Sequence, residues 1–466
     1  MVFSSLSFLF FFFPLVMLSY FICRNRNYRN AVLLLFSLLF YSWGEPKFLL
    51  VMIASSMVGW LTGLLIDRYR DSQRTLRVCM ILSVTLLLAI LFYFKYLNFA
   101  VDTVGKLFGL RLSVPHILLP IGISFYTFQI LSYVIDLYRG KVSAQRSPFR
   151  FLLYASFFPQ LIAGPIVRYA TIEKELLQRQ ESVTDVCEGL KRFILGLGKK
   201  LILANNVARI SEIIYAGNPA VYGTAMYWLA AFCYAFQLYF DFSGYSDMAI
   251  GLGRIFGFHF PENFEHPYLA DSLTEFWRRW HISMSTWFRD YVYIPLGGNR
   301  VRTGRWIFNV MLVWALTGLW HGAGWNYVFW GILNGLVLIA EKQFLLRRTE
   351  RLPGWIRVLL TFLFVTVSHT VFNMTDFSRL RLALKMMFSL HGTDWLGVLT
   401  SNAAITMAWF YVPLSLACCF PLLSYVKPAR TQTGEIVRCA FWLALFIVCI
   451  MYTISSTYNP FIYFRF

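Results

Sequence analysis

Charge is what this sequence has least of. Only 14% of its 466 residues are Asp, Glu, Lys or Arg, where soluble domains carry about 25%. Acidic residues are scarcest, 23 against 42 basic, for a formal net charge of +19. Hydrophobic residues make up 58% of the chain, with 46 Phe, 26 Tyr and 15 Trp, and mean hydropathy is +0.58. So few charges cannot cover that much apolar surface in water. This excludes a soluble enzyme, a disordered chain and a disulfide-stapled secreted scaffold. None of the eight cysteines forms a C-x-x-C pair, and most sit in apolar runs. They read as small packing residues, with no disulfide framework and no metal cage. Cys187, in a polar segment, is the one candidate reactive thiol. No G-x-S-x-G, H-E-x-x-H or Walker A pattern occurs, which excludes a soluble hydrolase, a zinc protease or an ATPase. No internal repeat is visible, which weighs against an inverted-repeat transporter.

What is present is an all-α polytopic membrane protein. The first 22 residues are nearly uncharged, and the basic run CRNRNYR follows them. A cleaved leader has the reverse order, so this reads as a retained helix with its N-terminus outside. Apolar spans follow at 31–43, 48–66, 78–94 and 117–138. Alternate loops are densely basic: Arg24, Arg26 and Arg29, then Arg68, Arg70, Arg74 and Arg77, then Arg139, Lys141, Arg146 and Arg150. The loops between them hold Lys47 alone, and Lys95, Lys106 and Arg111. Dense loops belong on the cytosolic side. The same count over 342–357 and 427–438 places spans at 356–373, 402–426 and 437–456, with the C-terminus outside. The positive-inside pattern accounts for the net charge without nucleic acid. A basic inner rim also attracts anionic lipid heads or a phosphorylated donor.

The segment 151–335 differs from its flanks, 1–150 and 336–456. Polar residues interrupt its apolar stretches, and such breaks at membrane depth survive only under protein or beside a water-filled cavity. An embedded core is expected there. In TGLWHGAGW, His321 follows the apolar span 306–320 among Gly318, Gly322 and Gly324, where a tight turn and a close ligand approach are possible. A neutral imidazole there suits proton abstraction from a hydroxyl; a His capping a helix end is the plainer reading. In EFWRRWHISMSTWFRDY, helical spacing puts Trp277, His281 and Ser285 on one face and Arg278, Arg279 and Arg289 elsewhere. The segment reads as an amphipathic interfacial helix, either inert or lining a cytosolic vestibule. Gln237, Asp241 and Asp247 lie among aromatics, with Ser243-Gly244 expected to break the helix between the two carboxylates. Structural pairing of these carboxylates with Arg is favoured over chemistry. The Gly-Gly turn before Asn299, Arg300, Arg302 and Arg305 offers a weak phosphate cradle or a plain basic loop.

The segments FFPQLIAGPI, YFDFSGYSDMAIG, NFEHPY…EFWRRWHISMSTWFRDYVYIPLGG and WHGAGWNYVFWG together resemble the membrane-bound O-acyltransferase family, in its bacterial branch, most strongly over about 150–335. The resemblance implies a single membrane domain, a ring of about eleven helices around a thinned core with a funnel from each side. It implies that His321 is the family's membrane-embedded histidine and His281 the second, on the cytosolic approach. Trp320, Asn263 and Asp241 take supporting roles, and Gln237, Trp277, Arg278, Arg279 and Ser285 line the donor channel. The implied reaction carries an acyl group, acetyl first of all, from a cytosolic thioester to an acceptor hydroxyl. The donor is acetyl-CoA or an acyl-carrier-protein thioester, and no metal is implied. The acceptor is an extracytoplasmic cell-envelope polysaccharide, the location a bacterial cytoplasmic membrane, and a periplasmic esterase-like partner would complete the transfer.

The tail 457–466 ends in PFIYFRF. Its Tyr463 could relay the acyl group outward, or its aromatic rings could anchor the tail at the interface. D-alanyl transfer to teichoic acid remains the alternative within the family. Transport of an acylated or lipid-linked molecule is the alternative outside it.

Overall fold

The computed structural model describes residues 1–110, 117–162, 164–389, 392, 395–422 and 431–455. Tyr463 lies outside the described residues. Among the described residues the regular structure is helical, and Phe264 and Trp280 form an isolated antiparallel bridge. In lipid a helix satisfies its own backbone groups, so a polytopic chain is built from helices.

The chain divides into two compact units. The first is Met1–Phe193 with Ser246–Pro261. It contains α1 (Phe8–Phe21), α2 (Arg26–Gly44), α3 (Pro46–Arg68), α4 (Gln73–Phe108), α5 (Ile123–Tyr138), α6 (Pro148–Ser156), α7 (Tyr169–Leu177) and the start of α8 (Val183–Gly198). Polar caps start several of these: the Asn25 side chain accepts the N–H groups of Asn27 and Tyr28, and Ser72 and Ser147 do the same for α4 and α6. The Phe-rich start packs into a ring cluster, with Phe3–Phe8 centroids at 4.9 Å and Phe12–Phe158 at 5.5 Å. Three guanidinium groups surround one carboxylate: Glu181 pairs with Arg26 and Arg29 at 2.6 Å each and with Arg179 at 3.5 Å.

One span differs from the sequence reading. The helix expected over 78–94 runs on to Phe108 through a π-turn at Phe92–Tyr96, and ends at Gly109 with φ 65°. Lys95 is therefore no loop charge. It is buried in the π-turn and donates from Nζ to Ser124 Oγ at 3.1 Å. The apolar run is interrupted at Lys95, but the residues after it are amphipathic at helical spacing, and burial of that face carries the helix further.

The second unit is Ile194–Tyr245 with Glu262–Phe466. It holds the end of α8, then α9 (Asn205–Ala216), most of α10 (Pro219–Ile255), α11 (Leu273–Arg279), α12 (Ile282–Phe288), α13 (Thr303–His321), α14 (Trp325–Thr349), α15 (Gly354–Asn373), α16 (Phe377–Phe388), α17 (Ala403–Cys418) and α18 (Gln432–Ser455). The expected break at Ser243-Gly244 does not occur. Helix α10 passes through it and is non-helical only at Gly223, φ 28°. Gly244 instead permits close approach, since a Cβ there would lie 2.7 Å from the Gly196 carbonyl oxygen. The two carboxylates are held by cations: Asp241 by Lys200 at 2.6 Å, and Asp247 by Arg192 at 2.6 Å. One partner is the expected arginine and the other a lysine.

Among the described residues, α3, α4, α14, α15 and α18 are long and apolar enough to cross a bilayer, and α1 and α17 are shorter apolar helices. Only 6% of the apolar window of α18 is buried inside the protein. Such a surface is tolerated where lipid, not water, is the solvent.

Candidate active site

The stretch EFWRRWHISMSTWF does not form the single amphipathic helix its spacing suggested. Helix α11 ends at Arg279, Trp280 is extended, and His281 adopts φ 45°, ψ 53° before α12 begins. The segment Asn263–Glu265 takes over the backbone groups here. Ile282 N–H donates to Asn263 O at 3.0 Å, and Glu265 N–H to Arg279 O at 3.0 Å. This pairing competes with the helical ladder and turns His281 inward. His281 is fully buried and does not share a helical face with Trp277 and Ser285. A non-glycine residue in the left-handed region costs energy that the surroundings must supply, a pattern concentrated at functional sites.

The His281 ring sits between two elements. Its Nδ1 lies 3.1 Å from Asn263 Oδ1, and its edge meets Phe242 with centroids 4.6 Å apart. His321, the last residue of α13, is 6.4 Å away ring to ring. His321 is buried among Trp320 (5.0 Å), Trp330 (5.2 Å) and Phe372 (5.3 Å), each ring presented edge to face. The glycines around it act differently from expectation. Gly322 is extended, at φ −168°, and makes no left-handed turn. Gly318 and Gly331 let α13 and α14 touch: added Cβ atoms would lie 2.2 Å from Tyr327 O and 2.3 Å from Trp314 O.

A cavity of about 260 Å³ that neither histidine lines is bordered by Trp277, Ser285, Trp314 and Thr317 with the cations Arg278, Arg289 and Lys342. Three tryptophans connect it to His321. Trp277 packs on Trp314 at 4.7 Å and on Trp330 at 5.6 Å, and Trp330 abuts His321. The cavity offers basic groups for phosphates and an apolar interior for a thioester arm. Arg279 lies apart, in an open groove of about 580 Å³ shared with Arg278, and bonds Glu275 at 2.8 Å. Gln237 lines a third hollow of about 380 Å³, with Tyr215, Tyr234, Asp376 and Arg379. Asp241 is committed to Lys200. The structure thus brings together His281, His321, Trp320 and Asn263, sets Trp277, Arg278 and Ser285 on the adjoining cavity, and leaves Arg279, Gln237 and Asp241 elsewhere.

Sequence reasoning missed Glu341, Trp314, Trp330 and Phe372. Glu341 is buried and holds the start of α11 through the Leu273 and Thr274 backbone N–H groups. Its signal was present: a lone carboxylate ending the apolar run 325–340.

An all-helical membrane protein with two buried, facing histidines beside a basic, tryptophan-lined cavity is the class that fold and site define. The profile of the membrane-bound O-acyltransferase family matches residues 40–350. The chain belongs to that family and is an O-acyltransferase, which sets the transporter reading aside. It is similar to the probable alginate O-acetylase of Pseudomonas aeruginosa, 43% identical over 80% of this chain and 72% of that protein. It is similar to the peptidoglycan O-acetyltransferase of Helicobacter pylori, at 32% over 84% of this chain and 81% of that protein. A teichoic acid D-alanyltransferase of Bacillus subtilis is 28% identical over 56% of this chain and 70% of that protein.

Proposed function

We propose that the chain carries an acetyl group from cytosolic acetyl-CoA through the core of a bacterial cytoplasmic membrane, for O-acetylation of an extracytoplasmic cell-envelope polysaccharide. The observation that carries this reading is the His281–His321 pair, 6.4 Å apart ring to ring and enclosed by aromatic rings. Acyl transfer from a thioester needs one group to take the hydroxyl proton and another to donate to the oxyanion. Two imidazoles buried among aromatic rings supply both, and a low-dielectric surround strengthens each interaction. Arg278, Arg289 and Lys342 suit the phosphates of coenzyme A, and Trp277, Trp314 and Ser285 line the path of the thioester arm.

Acetyl is favoured over D-alanyl because the alginate and peptidoglycan acetylating relatives match this chain at higher identity and over more of its length than the D-alanyl relative. A periplasmic esterase-like partner passes the group to the polymer, and Tyr463 of the tail is the candidate relay on the way. Deletion of the gene and complementation tests the reading. Ester-bound acetate released from the envelope polysaccharide by hydroxylamine should vanish in the deletion, return with the parent chain and stay absent with His321→Ala. An unchanged acetate content in the deletion would sink it.

A further inference from the structure

Helices α14 and α15 are joined by a short basic stretch in which Arg347, Arg348 and Arg351 are exposed. The density of basic residues assigns this stretch to the cytosolic side. The open groove of about 580 Å³ lies here, lined by Leu346 of α14, Gly354 and Val358 of α15 and Arg278 and Arg279 of α11. Its charges do not balance. Arg278 and Arg279 share one carboxylate, Glu275, at 3.4 and 2.8 Å. Arg357 pairs with Asp271 at 3.0 Å, and its guanidinium lies 3.9 Å from where a Cβ on Gly354 would sit, which places it at the edge of the groove. Three cations thus stand against two carboxylates, and the exposed arginines of the joining stretch add to the excess. Arg278 has the longest of these contacts and is 73% exposed.

The groove also borders a surface suited to lipid. Trp355, Leu359 and Leu360 are exposed on α15, a helix long and apolar enough to cross a bilayer. A tryptophan at the end of such a helix sits at the level of the head groups. Leu269, Leu346 and Val358 give the groove an apolar part of its own. Surplus arginine over an apolar lining, where a basic loop meets a lipid-facing helix, fits a phosphodiester whose acyl chains run into the bilayer. A soluble phosphate would use the arginines alone.

We infer that the groove between α11 and the start of α15 binds the head group of an anionic phospholipid from the inner leaflet. The groove and the tryptophan-lined cavity have Thr274 and Arg278 in common. A lipid held in the groove therefore steadies the helix that carries Arg278 and Trp277. Resting on the acyl-transfer reading above, this lowers KM for the thioester donor with little change in kcat, because the lipid orders a binding residue and touches no reacting group.

The test uses the full chain, purified in detergent and stripped of lipid, then titrated with phosphatidylglycerol, phosphatidylcholine or inorganic phosphate. Bound lipid is counted by native mass spectrometry. Phosphatidylglycerol should bind saturably and the other two should not. Arg279→Gln combined with Arg357→Gln should weaken that binding about 30-fold. Glu275→Gln releases Arg278 and Arg279 from their shared carboxylate and should tighten it about fivefold, a gain that misfolding cannot produce. Arg74→Gln with Arg77→Gln removes two exposed cations from another basic loop and should leave binding unchanged. Equal loss in both double variants, equal binding of phosphatidylcholine, displacement of the lipid by inorganic phosphate, or no gain from Glu275→Gln overturns the inference. In nanodiscs the parent's KM for acetyl-CoA should be several-fold lower with phosphatidylglycerol than with phosphatidylcholine, although an anionic surface repels the donor. The groove double variant should show the repulsion alone, as a raised KM. A parent whose KM also rises overturns the link to the donor. If the parent transfers nothing from acetyl-CoA, the proposed function fails while the lipid titration still decides this site.

Discussion

Glu341 Oε2 accepts both the backbone N–H of Thr274, at 2.8 Å, and its hydroxyl, at 2.5 Å. The other carboxylate oxygen accepts the Leu273 N–H at 2.7 Å. Helix α14 thereby anchors α11, which carries Trp277 and Arg278 of the cavity. Replacing Glu341 with Gln turns an NH2 group toward one of these donors. The expected loss is about 1–2 kcal/mol of stability, with a several-fold rise in KM for the thioester and a smaller change in kcat. Thermal unfolding in detergent and donor titrations check both.

The approach of α13 to α14 depends on glycine at two backbone contacts. Gly318→Ala and Gly331→Ala place a methyl against the Tyr327 and Trp314 carbonyl oxygens. Each should cost about 1–3 kcal/mol by overpacking and displace His321. Gly304, on the same helix α13, has nothing within 4 Å of an added Cβ, so Gly304→Ala is the control. Equal melting temperatures for all three variants would contradict the packing account.

Glu181 ties stability to pH. Burial pushes its carboxyl up, but the hydrogen bonds from Arg26 and Tyr20 and the charges of Arg26 and Arg29 outweigh this and hold it below the usual range. A depressed folded-state value gives stability that is complete above the unfolded carboxyl range, about pH 4.3. That stability is lost as pH falls through the folded value. Melting temperature should therefore drop as pH falls below about 4.5, and Glu181→Gln should flatten that part of the decline while lowering stability at pH 7. A variant with the parent's acid dependence would show that this carboxylate is not the group responsible.

Tyr463 is the proposed relay of the tail. Tyr463→Phe keeps the aromatic ring and removes the hydroxyl. It should abolish acetylation of the envelope polymer with the protein still folded and inserted in the membrane. Normal polymer acetylation in that variant would leave the ring as an interfacial anchor only.

Class and likeness were legible in the sequence because they rest on quantities that composition and motif preserve: scarcity of charge, basic loops, an intact W-H-G. The histidine at 321 could be found for the same reason. The geometry of His281 could not. Its helical spacing is good, and only the non-local pairing with Asn263–Glu265 breaks the helix there. Ser243-Gly244 failed in the opposite direction. The local signal says break, but tight packing against Gly196 needs a glycine inside an unbroken helix. Trp330 and Phe372 were invisible because they meet His321 from separate helices.

The most direct measurement uses proteoliposomes loaded with acetyl-CoA labelled on the acetyl group, and follows label outside the vesicles. The parent chain, supplied outside with the periplasmic partner and the polysaccharide acceptor, should yield hydroxylamine-sensitive acetyl ester there and free coenzyme A within, and His321→Ala should yield neither. Ester formation at the parent's rate by His321→Ala, or intact acetyl-CoA emerging from the vesicles, would contradict the account.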